Sequence, residues 1–436
     1  LDEFVTYKEE ERDCIVCGSK NLKLIWEKKP WSKARLIKQG STLFHMKDVL
    51  CMDCGLIFKN PMLTEESQNI FYDGHYLSLF KEGLVDGISK ASIIDSVIKS
   101  VYMLDFIKKH NINIKQKNVL EVGSGTGVLL KGLESMGATV KGIDMDKRSN
   151  DIAQKLFGID IMFNNVFAFK EDKKYDIIIS CNTIEHFYSP LKFLGHIKQF
   201  IDNNGLIIIE TPSYIYPYPT TIVDAFLSSA HNCTFSFESF QRLASKAGLA
   251  IIDCSYSGHH RSMQIILQKS ENPSYKAIDV NYDGILNILN SYDHSAEKIN
   301  KTIKELFETK NVNTIIDGIF EKFPLTSNQA FLGLAPTLLQ SGMNREVIVL
   351  MEQYKEEQSE DIVFCRGTSL FYKGCAYRQM GDFLRAKRCF EEAKENYPRF
   401  EDYIFIKDLM IDGVISESNF AYYPFIQNKK ALESLS

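Results

Sequence analysis

Val119-Leu-Glu-Val-Gly-Ser-Gly-Thr-Gly-Val128 is the stretch from which the fold can be read. An apolar run meets an acid, Glu121, and glycines follow at alternate positions, Gly123, Gly125 and Gly127. The apolar segment from Val128 to Met136 then has the pattern of a helix. The order is strand, tight turn, helix start. Glycine enters positive φ without penalty and lets a ligand approach the backbone, so this turn is a candidate binding edge.

Downstream, strand and helix patterns alternate to about Lys269, which predicts a mostly parallel sheet flanked by helices. Thr139–Ile143 is expected as a second strand ending at Asp144, and Ile159–Phe163 as a third. Tyr175–Ser180 and Gly205–Glu210 are continuous apolar runs, as strands buried on both faces require. Leu191–Ile201 reads as an amphipathic helix, and Thr211–Thr221, rich in Pro and Tyr, as a loop over the sheet edge. Ser236 is a candidate N-cap for a helix reaching Ala247, with Ser239 behind it. Ala250–Tyr256 and Met263–Gln268 suit a closing antiparallel hairpin.

Upstream, Ser89–His110 places Ile93, Ile94, Val97, Val101, Leu104 and Ile107 on one helical face. Before it stand Cys14-Ile-Val-Cys17-Gly18 and Cys51-Met-Asp-Cys54-Gly55. Each C-x2-C turn presents two thiolates, the glycine after it permits the turn, and four thiolates close a tetrahedral site around a structural zinc ion. A small zinc ribbon over residues 1–75 is therefore expected, with Trp31 and Phe44 in its apolar pack. His45 is not needed as a ligand once four sulfurs are present. An aromatic cluster, Phe71-Tyr-Asp-Gly-His-Tyr76, leads into the α/β domain expected at 76–270. The six other cysteines are scattered and read as buried apolar thiols.

After Asn272-Pro-Ser the composition turns helical, so 271–436 is expected to be an all-α domain. Gly374, Tyr377, Gly381, Asp382, Ala386, Phe390, Ala393 and Pro398 are spaced as in a tetratricopeptide repeat, where small residues let two helices cross closely. Gly342, Leu350 and Met351 outline a weaker copy. One good repeat and one poor one predict a short helical bundle, suited to a protein partner or self-association.

Composition sets the outer bounds. A chain of 436 residues is too long for one ordinary core, and two or three domains are expected. With 44% hydrophobic and 25% charged residues it belongs with soluble globular proteins. A net charge of -5 and the lack of a basic run argue against a nucleic-acid partner. No apolar run reaches the ~18 residues of a membrane span. Leu1-Asp-Glu-Phe carries no signal-peptide pattern, and a cytoplasmic location is expected.

The glycine turn resembles motif I of the class I S-adenosylmethionine-dependent methyltransferases. Glu121-Val-Gly-Ser-Gly-Thr-Gly127 carries the resemblance, which extends from about Val119 to Gln268. A dinucleotide fingerprint would want glycine at position 128, where Val128 stands. The resemblance implies a Rossmann-like sheet and S-adenosylmethionine as cofactor, held by Glu121, Gly123, Ser124, Gly125, Thr126 and Gly127. Asp144, followed by Met145, would bind the ribose. Asn164 or Asn165, with Val166, would meet the adenine where the family often has Asp. Cys181 and Asn182 would line the site below the sulfonium. Because the methyl donor is already activated, the protein must position the nucleophile and remove a proton. His186, after the fourth strand, and His231, in Ala230-His-Asn-Cys-Thr-Phe-Ser236, are the candidate bases. His75, His259 and His260 are weaker candidates, and Tyr214, Tyr216 and Tyr218 are candidates for a substrate wall.

The knuckles, the aromatic cluster and motif I, taken together, resemble the deoxysugar C-methyltransferases. That family pairs a zinc-binding N-terminal domain with a methyltransferase core and acts on nucleotide-linked keto-sugars. His186 and His231 stand where it has its two active-site histidines. The chain departs from it at Ser228 and Ala230, where the family has Tyr and Glu, and in its helical C-terminal region. The expected activity is methyl transfer to a small-molecule acceptor, foremost a sugar, nucleotide-sugar or glycan, at a hydroxyl oxygen or carbon. Ribosomal RNA methylation is an alternative, since some such enzymes carry an N-terminal zinc ribbon. A non-catalytic zinc and repeat protein with a degenerate core is the third reading.

Overall fold

The computed structural model describes residues 7–27, 47–71, 90–215, 223–227, 231–257, 262–292, 342–352 and 366–396, together with 335, 338, 339 and 435. Expectations placed on Trp31, Phe44, His45, residues 72–76, Tyr216, Tyr218, Ser228, Ala230, His259, His260 and Pro398 lie outside them. The chain divides into two compact units, Leu1–Asp293 and His294–Ser436.

The first unit begins with short strands: β1 (Glu9–Glu10), β2 (Leu22–Glu27), β3 (Lys47–Cys51), β4 (Ile57–Lys59) and β5 (Met62–Leu63). There follow β6 (Asn118–Val122), β7 (Thr139–Asp144), β8 (Ile161–Phe163), β9 (Tyr175–Cys181) and β10 (Ile201–Pro212). The last are β11 (Cys233–Thr234), β12 (Leu249–Ser257) and β13 (Ser262–Lys269). Seven of them form one sheet in the order β12-β13-β10-β9-β6-β7-β8. Neighbours from β10 to β8 are parallel, while β13 runs antiparallel to both β10 and β12. From β6 the chain steps outward to β7 and β8, then returns to the other side of β6 with β9. That reversal between β6 and β9 opens a crevice at the carboxyl ends of the strands, where ligands bind in such sheets.

Local chemistry sets the elements. The helix Pro190–Ile197 starts with Ser189 as N-cap and proline in its first turn, both favourable there. Phe237–Lys246 starts with a reciprocal capping box between Ser236 and Ser239. Two expectations are corrected. The helix from Leu191 ends at Ile197, and Ile201 already opens β10. The strand crosses Asn203-Asn204-Gly205 by a register shift against β9, and an added Cβ on Gly205 would lie 2.8 Å from the Asp176 carbonyl oxygen. Thr211 and Pro212, expected in a loop, pair with Met263 and Ser262 and are buried strand residues.

The cysteine knuckles lie within the first unit's core. Cys14, Ile15, Leu56 and Phe58 share one apolar cluster with Ile178, Ile207, Phe235 and Phe240. The small sheet of the knuckle region has the order β11-β4-β3-β2, so it takes its edge strand from the segment after His231. Lys59 on β4 is buried, with Nζ 2.5 Å from Asp48 Oδ1 and donating to the Leu227 carbonyl at 3.0 Å. Val280 and Leu289 pack with Ile25, Leu50 and Tyr214, so this core extends past residue 270.

In the second unit, the described helices are Asn344–Glu352, Arg366–Gln379 and Phe383–Glu395. Gly381 turns the last pair at φ +79°, and the Asp382 side chain accepts the Arg385 N–H as N-cap. A Cβ at Gly374 would meet the Phe390 ring at 2.6 Å, so glycine is what lets these helices come together. Among the described residues, no helix is long and apolar enough to cross a membrane.

Candidate active site

A cleft of about 290 Å³ lies at the carboxyl ends of the central strands, over the glycine turn. The turn is built for close approach. Gly123, Gly125 and Gly127 all have positive φ, at +79°, +49° and +76°. A Cβ at Gly123 would stand 2.2 Å from Thr183 Oγ1, one at Gly127 would meet the Ala153 Cβ at 3.0 Å, and Gly125 has open space before it. Gly123 and Gly125 present bare backbone to the cleft, while Gly127 serves helix packing.

Asp144 lines the cleft and fixes the turn. Its Oδ2 accepts the Gly125 N–H at 2.7 Å and its Oδ1 the Asp146 N–H at 2.8 Å. A carboxylate has about four acceptor sites, which suits it to hydroxyl groups as well as to N–H groups. Met145 and Val166 add apolar wall beside it. Asn165 also lines the cleft, but its carbonyl oxygen already accepts the Phe167 N–H at 2.9 Å as the cap of a short turn. Asn164 lines the same wall.

Glu121, Ser124, Thr126 and Cys181 sit behind this surface. Glu121 is buried, its Oε2 has no hydrogen-bond partner, and burial, aided by nearby Asp144, holds its pKa well above the usual carboxylate range. Ser124 Oγ donates to the Ile143 carbonyl at 3.3 Å, tying the turn to β7. Burial pushes the Cys181 thiol well up. Asn182 is a non-glycine residue at φ +48°. Glu210 holds it there: its carbonyl accepts the Asn182 N–H at 2.7 Å and its carboxylate the side-chain amide at 3.2 Å.

His186 lines the cleft beside Asn182 and Thr183. His231 stands against it, with ring centroids 4.9 Å apart and planes at 75°. The two segments are sewn together by Asn232, whose backbone N–H donates to the Glu185 carbonyl at 2.8 Å and whose side chain donates to the His186 carbonyl at 2.6 Å. Glu185, not singled out from sequence, is fully buried beneath the pair. Its Oε2 accepts Thr211 Oγ1 at 3.2 Å, and burial pushes its pKa up to about 8. The cleft also takes Glu65, Gln68 and Asn69 from the helix Glu65–Ile70, which no sequence signal had linked to the glycine turn. Tyr214 lies away from the cleft, its hydroxyl donating to the Gly55 carbonyl at 2.6 Å.

Cys14, Cys17, Cys51 and Cys54 converge at a second place, their sulfurs all within 4.8 Å of one another. Cys14–Cys54 is 3.6 Å and Cys17–Cys51 is 3.4 Å. A tetrahedral ion with Zn–S bonds of about 2.3 Å spaces its sulfurs by about 3.8 Å, so the donor set fits zinc. Gly18 and Gly55 take φ of +79° and +76° behind the knuckles, as the spacing required.

The sequence pattern of the family described as "Methyltransferase domain" matches residues 100–253. Over 119 residues the chain is 30% identical to the ubiquinone biosynthesis O-methyltransferase of Rickettsia typhi, covering 26% of this chain and 48% of that protein. The counterpart in Pasteurella multocida is 30% identical over 124 residues, covering 25% of this chain and 51% of that protein. The chain thus spans about half the length of the curated relatives it matches. Among solved structures, the magnesium protoporphyrin IX methyltransferase of Synechocystis with bound SAH aligns at 14% identity and a TM-score of 0.36, covering 46% of this chain and 97% of that one. An S-adenosylmethionine-dependent methyltransferase of Clostridium acetobutylicum aligns at 12% identity and 0.34, covering 41% and 97%. The chain carries a class I methyltransferase domain with a Rossmann-like core.

Proposed function

We propose that this methyltransferase domain moves a methyl group from S-adenosylmethionine to a small-molecule acceptor, a sugar or nucleotide-sugar, at a hydroxyl oxygen or an acidic carbon. The single observation that carries the reading is His186 at the wall of the cleft that Gly123, Gly125 and Asp144 also line, with the His231 ring packed against it. When bound, the cofactor supplies a methyl already activated on a sulfonium. The chain's own residues do the rest. Gly123 and Gly125 let the donor lie on backbone, Asp144 receives ribose hydroxyls, and Met145, Asn164, Asn165 and Val166 form the adenine wall. Glu121, Ser124, Thr126 and Gly127 shape the turn from behind, and Asn182 holds the floor with Cys181 below it. The acceptor's proton is withdrawn at the His186–His231 pair.

The charge of the cleft supports a small acceptor over RNA. Lys192 is the lysine or arginine among the described lining residues, and it is paired with Glu65 at 2.7 Å, against Asp144 and Asp146 nearby. The relatives' names favour oxygen as the acceptor atom, and the paired knuckles favour a sugar. Zinc on Cys14, Cys17, Cys51 and Cys54 would be structural. The helical unit is read as tetratricopeptide-like, serving a partner protein or self-association.

Calorimetry with S-adenosylhomocysteine followed by a screen of nucleotide-sugars for transfer of labelled methyl tests this reading. Cofactor binding is expected in the unaltered protein and in His231→Ala, and label transfer in the unaltered protein alone. No binding of the demethylated cofactor would end it.

A further inference from the structure

We infer that Glu185, His186 and His231 form a binding site for a divalent transition-metal cation, and that this ion receives the acceptor's oxygen. The inference rests on the methyl-transfer reading above. One donor atom from each of the three residues lies within 4.8 Å of the other two. His186 Nε2 is 3.9 Å from Glu185 Oε1, too far for a hydrogen bond. Bonds of about 2.0–2.2 Å to one ion place donors about 3 Å apart when adjacent and about 4.2 Å when opposite, so small side-chain rotations bring the three atoms onto a common centre.

An independent observation points the same way. Glu185 is fully buried, and its Oε1 has no hydrogen-bond partner. A buried carboxylate oxygen normally has one. Its other oxygen is held by Thr211 Oγ1, so the carboxylate is already aimed. A carboxylate serving only to orient a base would hydrogen-bond the ring nitrogen remote from the chemistry. Here Glu185 Oε1 makes no hydrogen bond to either ring, and a gap of 3.9 Å separates it from His186 Nε2.

The frame around the gap is fixed. Asn232 bonds to the backbone of both Glu185 and His186, and its own carbonyl accepts the Lys59 N–H at 2.9 Å. Two imidazoles and one carboxylate with open positions are a donor set for ions such as Mn²⁺, Fe²⁺ or Zn²⁺, whereas Mg²⁺ and Ca²⁺ prefer all-oxygen shells. His186 lies on the cleft wall, which places the ion beside the space for the acceptor. An ion there lowers the pKa of a hydroxyl that it binds. The two histidines then hold the ion in place of taking the proton themselves: the acceptor's proton leaves to solvent, the oxygen–carbon bond forms as the sulfur–carbon bond breaks, and the electron pair returns to sulfur as the neutral thioether.

The test uses the full chain with its cysteine site zinc-loaded, titrated with Mn²⁺ and followed by electron paramagnetic resonance. One bound Mn²⁺ per chain is expected, with ¹⁴N modulation from coordinated imidazole in the spin-echo signal of the unaltered protein. Glu185→Gln and His231→Ala should each weaken Mn²⁺ binding by about tenfold or more, while S-adenosylhomocysteine still binds. No retained Mn²⁺, no imidazole modulation, or undiminished binding in both variants overturns the inference. If the chain binds S-adenosylhomocysteine but no Mn²⁺, this inference alone falls; if it binds Mn²⁺ but no S-adenosylhomocysteine, the functional reading falls.

Discussion

Gly123 and Gly125 both have positive φ, but their surroundings predict different fates for alanine. At Gly123 the new Cβ would enter the Thr183 hydroxyl, which is engaged with the Cys181 carbonyl at 2.9 Å and cannot turn aside freely. At Gly125 there is no heavy atom within 4 Å. Gly123→Ala should therefore cost about 2–4 kcal/mol in urea unfolding and abolish cofactor binding, since left-handed strain and overpacking add. Gly125→Ala should cost about 1–2 kcal/mol, the left-handed penalty alone, and leave a folded protein. Equal losses for both would mean that the Thr183 contact is not the constraint. Asp144→Asn belongs to the same scale. It replaces one of two oxygens that receive backbone N–H groups with a donor, and a charged-acceptor bond is worth about 1.5–3 kcal/mol. Calorimetry should find S-adenosylhomocysteine bound at least about tenfold more weakly.

At the scale of elements, β4 and β11 join the cysteine region to the segment that carries His231. Cys233 pairs with Phe58 and Thr234 with Ile57, two residues after His231. Lys59 closes the strap with its buried pair to Asp48 and its bond to Leu227. Lys59→Met leaves Asp48 buried without its cation and should cost about 3–5 kcal/mol, whereas Asp48→Leu combined with Lys59→Met should recover most of that. A double variant as unstable as the single one would show that shape, not charge, is the issue. The strap also marks where sequence reasoning stops. Strands with long apolar runs, such as Tyr175–Cys181, and helices with caps, such as the one after Ser236, were legible because their signals are local. A two-residue strand such as Cys233–Thr234 has no periodicity, and its partner lies far off in the chain. The end of the helix at Ile197 was missed for a related reason: Ile201 continues the apolar spacing, and only pairing with Tyr175 makes it a strand residue. In the site, His186 was legible by its place after a strand. Its neighbour Glu185 was not, because nothing local says that the short turn Ile184–His186 buries that carboxylate beneath the ring.

Across the first unit as a whole, the cysteine cluster is expected to govern the acceptor half of the site and not the cofactor half. Without an ion, four sulfurs are crowded within 4.8 Å of one another, and the hydrogen bond with Cys51, together with burial, pushes Cys14 up to about 12. Zinc removes that conflict by binding the deprotonated forms, so its retention should fall as pH drops and ligands reprotonate. The cluster shares its core with Phe58 on β4 and Phe235 beyond β11, so loosening it loosens the segment that carries His231. The glycine turn hangs instead on β6 and β7, through Ser124 and Asp144. Cys51→Ser should release zinc, lower the melting temperature by about 5 °C or more, and reduce methyl transfer far more than S-adenosylhomocysteine affinity. Cys254→Ser, on β12 and remote from the cluster in sequence, should keep zinc and shift melting by only a degree or two. A Cys51→Ser protein that has lost zinc yet transfers methyl at the original rate would sever the link from the knuckles to His231 and leave them a local staple.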